Sequence, residues 1–146
     1  VSFFLLVALL DPPRRVQSHA LAAVELLLPR AGADAVPALL AILASVPVQR
    51  PEQAHTLFQI RHTLAKLLPA FDHADRLAPF QTAVLRRECA ADAAPDRLRV
   101  AALLLLADRG DRETLPIALA WSRTHPEERV REAASEVVRA LARRSG

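Results

Sequence analysis

The sequence predicts an all-α protein built from repeated pairs of helices, and two observations support this fold class. The first is composition: Ala and Leu supply 54 of the 146 residues and Gly only three, and Ala and Leu favour helix whereas Gly disfavours it. The second is a repeated segment, because the stretches around Pro37, Pro79 and Pro116 align without a gap. These prolines are 42 and 37 residues apart, which is typical of arrays of helix pairs.

Each proline has an apolar anchor upstream at a nearly constant offset. The anchors Val16, Ile60 and Leu98 precede the prolines by 21, 19 and 18 residues. A fourth anchor is Val130. This offset corresponds to one helix, a short turn and the start of a second helix. We therefore predict eight helices, near residues 2–10, 14–29, 35–46, 52–69, 74–91, 96–108, 112–124 and 127–144.

Polar residues and glycine mark the turns before the second helices. We expect Asp34, Asp75 and Asp111 to accept free backbone N–H groups at helix starts. Gly110 suits the left-handed conformation that closes a helix. The aligned prolines are expected within the first turn, where a missing N–H is tolerated.

Two of the predicted helices differ in how much of their surface is apolar. The helix over 96–108 is apolar nearly all round, which predicts packing on both of its sides. The helix over 127–144 has a single apolar stripe instead: Val130, Ala134, Val137 and Leu141. A one-sided final helix predicts a terminal cap with nothing packed on its outer face. The amino end, by contrast, is expected to begin within a repeat.

Segments 96–102 (DRLRVAA) and 128–134 (ERVREAA) each begin an anchor helix. They resemble HEAT repeats, in particular the short bacterial HEAT-like units that also occur in phycobilin lyases. The resemblance covers about residues 11–146 and implies one domain, a right-handed α-solenoid of about eight helices. Its expected units are a half repeat at 1–10, repeats at 11–50, 51–94 and 95–125, and a capping helix at 126–146.

The resemblance implies a protein-interaction scaffold within a longer chain, with a partner bound on the concave surface that the second helices line. A subunit or domain of a HEAT-like enzyme of the bilin lyase type is an alternative. A soluble appendage of a membrane protein is another.

Three residues of the second helices are candidates for binding this partner. Arg86 and Arg123 occupy equivalent repeat positions, and Thr82 falls on the same outer side as Arg86. Because arginine suits carboxylates, the expected partner is a protein or peptide that carries acidic groups. The alternative is that both arginines contact only solvent.

Neighbouring repeat positions hold apolar residues. Trp121 aligns with Ile42 and Val84, so we expect its ring to pack against the core; a ring that faces a ligand is the alternative. The position before it holds alanine in all three units: Ala41, Ala83 and Ala120. Such small side chains predict a close approach between helices.

No catalytic, cofactor or metal site is predicted. Cys89 has no histidine nearby in sequence and lies near a predicted helix end, where the dipole disfavours a thiolate. His55 and His62 are seven residues apart, rather than the four of a two-histidine metal helix. The segment 72–75 offers one imidazole only, fewer than a dedicated site uses.

Charge and cysteine content bear on partners and location. The net charge is only +3 and the signs are interspersed, which argues against nucleic acid as a partner. A single cysteine favours a cytoplasmic protein. The apolar segment 1–10 is shorter than the about 20 residues of a membrane span. We expect a buried helix there, with the tail of a removed membrane or signal segment, which would extend upstream of Val1, as the alternative.

Overall fold

The computed structural model describes residues 32–44, 51–72 and 74–145. These residues form helices and turns and include no strand, which confirms the predicted all-α class. They contain six α-helices, which we number α1 (Val36–Ala44), α2 (Ala54–Leu67), α3 (Pro79–Ala90), α4 (Asp96–Arg109), α5 (Leu115–Thr124) and α6 (Glu128–Ser145). Eight helices were predicted; those over 2–10 and 14–29 lie outside the described residues. None of the described helices is long and apolar enough to cross a bilayer.

The three aligned prolines all lie in the first turn of a helix, as predicted. Pro37 and Pro116 are the second residues of α1 and α5, and Pro79 is the first residue of α3. A single turn of 3-10 helix precedes each of them, at Ala33–Ala35, Ala74–Arg76 and Arg112–Thr114. The repeat seen in the sequence is therefore a repeated local structure: a 3-10 turn, a proline and a short α-helix.

The prediction of one helix over 74–91 is wrong at its start, because α3 begins at Pro79. Ala78 is extended, with φ −72° and ψ 158°, since the proline ring disfavours helical backbone in the residue before it. The Ala78 N–H donates to Gln81 Oε1 at 2.7 Å. The Gln81 amide in turn donates to the Pro37 carbonyl at 3.1 Å, which ties the start of α3 to α1.

Gly110 closes α4 in the left-handed conformation, with φ 75°, as predicted. Its N–H donates to the Ala107 carbonyl and the Asp111 N–H donates to the Leu106 carbonyl, both at 3.0 Å. This pair of bonds satisfies carbonyls that would otherwise lack partners at the helix end.

The aspartates do not cap the helix starts as predicted. Asp34 and Asp75 lie inside their 3-10 turns. Asp111 precedes its turn but makes no side-chain bond to the backbone N–H groups. Its carboxylate instead accepts from the Thr114 hydroxyl at 2.7 Å and from Arg86. Thr114 and Arg86 thus bind the Asp111 carboxylate oxygen that was predicted to accept backbone N–H groups.

The helices pack in two layers. In one layer α2 contacts α4 and α4 contacts α6, and in the other α1 contacts α3. The layers meet through α1 with α2, α3 with α4 and α5 with α6. Helices α4 and α6 run in the same direction, since Asp96 Oδ1 lies 3.7 Å from His125 Nε2 near their starts. Near their ends Arg144 donates to the Asp108 carbonyl at 2.8 Å.

The predicted anchors form the centre of the core. Ile60, Leu98 and Val130 are fully buried, and so are the residues four positions later: Leu64, Ala102 and Ala134. These six side chains lie in α2, α4 and α6, so the anchor column is the contact surface of the first layer.

Helix α6 has the one-sided character that the sequence predicted. Its stripe is buried: Val130, Ala134, Val137 and Leu141. The charged residues off the stripe are exposed: Glu128, Glu132, Arg139 and Arg143.

Helix α4 packs on both of its sides, as predicted, because it contacts α2 and α6, but part of its apolar surface stays open. Leu98, Leu103 and Leu106 are buried, but Leu104 is 37% exposed and its neighbour Ala101 is half-buried. The apolar surface of α4 thus exceeds the area that the helices of the described structure cover.

We predict that Leu103→Ala lowers the free energy of unfolding by about 2–5 kcal/mol, because it leaves a cavity at a fully buried site. The matched control is Leu104→Ala, one residue on, which should cost at most about 1 kcal/mol. Urea unfolding followed by far-UV circular dichroism measures both. Equal losses in the two variants would contradict the burial described for α4.

Candidate functional site

Arg86 is held by two carboxylates of the next repeat. Its Nε lies 2.5 Å from Asp111 Oδ2 and its Nη1 lies 2.8 Å from Glu113 Oε2. The Arg86 side chain is only 20% exposed. The guanidinium therefore joins α3 to the turn before α5, and its charge is matched within the chain.

Thr82 does not lie on the outer side as expected. It is 6% exposed, and its hydroxyl donates to the Pro79 carbonyl at 2.8 Å. Arg86 and Thr82 are thus close in sequence and on one helix, but neither offers a free polar group at the surface.

Arg123, the third candidate, is exposed. Ala120, which lies three residues earlier in the same helix, is also exposed. Its equivalent in α3, Ala83, is exposed as well. The prediction that the alanine column marks a close helix approach is therefore wrong for these two positions. In α3 the residues on both sides of Ala83 are buried, and the 100° step of a helix turns Ala83 away from the layer below.

Some of the exposed residues of α3 and α5 occupy equivalent repeat positions, namely Pro79 with Pro116 and Ala83 with Ala120; the others lie on the same open sides of the two helices. We call them the second-helix face, which comprises Pro79, Phe80, Ala83 and Arg87 on α3, and Pro116, Ala120 and Arg123 on α5. Phe80 is 52% exposed. This surface has an apolar centre of small and ring-shaped side chains and two arginines at its edge.

Trp121 packs against the core as a half-buried residue. The Arg99 guanidinium lies over its ring, 5.6 Å from the centroid, and the His125 ring meets it edge-on at 5.4 Å. The predicted packing role is confirmed, although the ring is not fully enclosed.

A column of arginines one residue after the anchors was missed by the sequence analysis. Arg99 follows Leu98 and donates to the Cys89 and Ala91 carbonyls at 3.3 and 2.9 Å. Arg131 follows Val130 and donates to the His125 and Pro126 carbonyls at 2.7 and 3.0 Å. Each guanidinium satisfies carbonyls at the end of the preceding second helix, where the helix dipole favours a cation. This column can be recognised in the sequence alone, because Arg61, Arg99 and Arg131 each come directly after an anchor residue.

Arg61, the first of this column, forms an ion pair inside the core. Its Nε lies 2.7 Å from Glu88 Oε2, and the two residues are 4% and 0% exposed. Arg87 Nη2 lies 3.0 Å from the other oxygen of Glu88 and donates to the Leu43 carbonyl at 2.9 Å. This cluster connects α1, α2 and α3.

Cys89 is buried in the same region, and burial raises the pKa of its thiol from 9.0 to about 12, although the nearby Arg99 opposes the rise. Its Sγ lies 3.9 Å from the Arg99 carbonyl. The thiol is therefore protonated near neutral pH, which makes it a poor nucleophile.

The described residues also bear on metal binding. They include no group of three or more His, Cys, Asp or Glu side chains placed to hold an ion. The ring of His62 lies 4.1 Å from that of Phe58, a packing contact on the surface of α2.

No protein-family model, curated protein or solved structure matches the chain significantly.

We predict that Glu88→Ala lowers the free energy of unfolding by about 3–5 kcal/mol, because it removes a carboxylate from a buried guanidinium. Glu113→Ala is the matched control. It removes a carboxylate that is 75% exposed, so it should cost at most about 1 kcal/mol. Chemical denaturation of both variants checks this. A Glu88→Ala variant as stable as Glu113→Ala would show that the pair contributes nothing to the fold.

We also predict that native Cys89 resists a thiol reagent at about pH 8, conditions in which unfolded cysteine reacts readily. Because folding raises the pKa of the Cys89 thiol, the folded state keeps the thiol proton between pH 9.0 and about 12, where the unfolded state loses it. The stability contribution is thus complete below pH 9.0 and is lost as pH rises towards about 12. Comparing the rate of Cys89 labelling in native buffer with the rate in urea tests this resistance. Rapid labelling of the folded protein would contradict the burial.

Proposed function

We propose that this chain is a HEAT-type, right-handed α-solenoid that acts as a protein-interaction module and binds its partner on the second-helix face. The two-layer packing supports the solenoid, because α1 contacts α3, α2 contacts α4 and α4 contacts α6, while α1–α2, α3–α4 and α5–α6 are contacts between sequence neighbours. The parallel direction of α4 and α6 supports it further. Repeat arrays are built from such short-range contacts.

The observation that carries the binding surface is the exposure of apolar residues at equivalent positions of α3 and α5. Phe80 is 52% exposed and Ala83 and Ala120 lie at the centre of the open sides of their helices. An aromatic anchor within a flat, apolar surface is typical of protein interfaces. Alanines there allow a partner backbone to approach closely.

Arg123 and Arg87 give this surface its charge. Arg123 is exposed, and the Arg87 side chain is 44% exposed although it also contacts Glu88. Guanidinium groups bind carboxylates with two parallel hydrogen bonds. We therefore infer that the partner is a protein or peptide with acidic groups beside an apolar segment. In this proposal Arg123 contacts the partner. Thr82 supports the surface from its buried position in α3, and Arg86 supports it by joining α3 to the turn before α5.

We predict that the double variant Ala83→Glu with Ala120→Glu stays folded but binds acidic peptides more weakly. Both positions are exposed and helical, so the exchange should leave the melting temperature within a few degrees. It places two carboxylates at the centre of the second-helix face, where they repel an acidic ligand. Acidic amphipathic peptides selected against the wild-type domain from a displayed library should bind this variant at least about tenfold more weakly.

The control variant is Leu119→Lys. Leu119 is 39% exposed and lines a separate surface pocket with Val138 and Leu141 of α6, and none of the residues of the second-helix face lines that pocket. Selected peptides should keep their affinity for it. Peptides that bind the alanine-to-glutamate variant as tightly as wild type would refute the assignment of this face.

A further inference from the structure

A groove runs along α4 on the side opposite its core contacts. It has a volume of about 640 Å³ and is lined by residues that follow α2, by α4 and by the start of α6. Its floor is apolar and includes Leu68, Phe71, Val100 and Leu104. We call it the α4 groove.

The part of the floor that α4 supplies is open to solvent, whereas Leu68 and Phe71 are buried. Leu104 is 37% exposed, and Val100 and Ala101 are half-buried. These three residues share one side of α4, because they lie one, three and four positions apart. The sequence places apolar residues all round this helix, and this side is the part that the described helices leave uncovered. This uncovered apolar side of α4 forms part of the floor of the groove.

The rim of the groove carries more carboxylates than cations, although the chain as a whole has a net charge of +3. The charged lining residues are Asp72, Asp96, Asp108 and Glu127, against Arg97 and Arg129. Arg99, which is outside the groove, pairs with Asp96. Among the described residues, no salt bridge engages Asp108 or Glu127, and both are exposed. A cationic occupant therefore complements the groove.

The dimensions of the groove suit a helix. Arg97 lies near the start of α4 and Asp108 near its end, so eleven residues separate them. At 1.5 Å per residue the groove extends for about 16 Å, the length of roughly three helical turns. Side chains of a docked helix at positions i, i+3 or i+4 and i+7 reach along such a floor.

We propose that the α4 groove binds a basic amphipathic helix of another protein, about three turns long. Its apolar side packs on Val100, Ala101 and Leu104, and its lysines or arginines pair with Asp108 and Glu127 at the two ends. This site is formed by the first-helix layer and does not depend on the second-helix face. The two surfaces select ligands of opposite charge.

The test uses two fluorescein-labelled peptides of about 14 residues, long enough for the three turns of the groove. Both carry leucine at positions i, i+3 and i+7; one has lysine and the other glutamate at the remaining positions. Fluorescence anisotropy titrations should show saturable binding of the lysine peptide and at least about tenfold weaker binding of the glutamate peptide. Absence of saturable binding, or equal affinity of the two peptides, overturns the inference.

Three variants locate the binding. Leu104→Lys should weaken binding of the lysine peptide by at least about tenfold, because it puts a cation on the apolar floor. Asp108→Lys with Glu127→Lys should do the same through charge, and these exposed positions keep the test valid if Leu104→Lys unfolds. Leu119→Lys is the matched control, since Leu119 and Leu104 are 39% and 37% exposed. An equal loss in this control overturns the inference.

The same titration separates this inference from the proposed function. Ala83→Glu with Ala120→Glu should leave the affinity for the lysine peptide unchanged. If that variant alone changes the affinity, the peptide binds the second-helix face and the α4 groove is refuted. If the groove variants alone weaken binding, the groove stands whether or not the second-helix face binds an acidic partner.

Discussion

The burial of α4 between α2 and α6 is the interaction on which the rest of the described structure depends. Leu98 and Ala102 of α4 are fully buried, and α4 is in contact with both neighbours of its layer as well as with α3. Because these anchors set the positions of the first helices, they also set where the second helices lie above them. The same helix supplies the floor of the α4 groove, so core and surface are two sides of one apolar element.

Arginine side chains join successive helix pairs to one another. Arg99 and Arg131 satisfy carbonyls at the ends of the preceding second helices, and Arg86 pairs with carboxylates of the following repeat. Backbone carbonyls at the ends of short helices need such partners. These contacts engage arginines that the sequence alone would offer as binding residues. It also means that an arginine in this sequence is evidence for binding only when its guanidinium is exposed.

The two proposed binding surfaces arise from opposite layers and differ in chemistry. The second-helix face is apolar with arginines at its edge, as at Arg123, whereas the α4 groove is apolar with a surplus of carboxylates. Under the two proposals, one surface binds an acidic partner and the other binds a basic helix. Association through each surface depends on apolar burial for affinity and on charge for selectivity.

The sequence by itself determined the helical class, the positions of the prolines, the buried anchors and the left-handed Gly110, because each depends on local backbone preference or on the period of apolar residues. It also identified Arg86 and Arg123 as equivalent positions. Only the tertiary structure decided that Arg86 is paired, that Thr82 is buried and that Ala83 and Ala120 are exposed. Those outcomes depend on which neighbouring helix or turn lies beside each side chain. The α4 groove has the same origin: the sequence shows an apolar helix, and the packing decides which of its sides stays open.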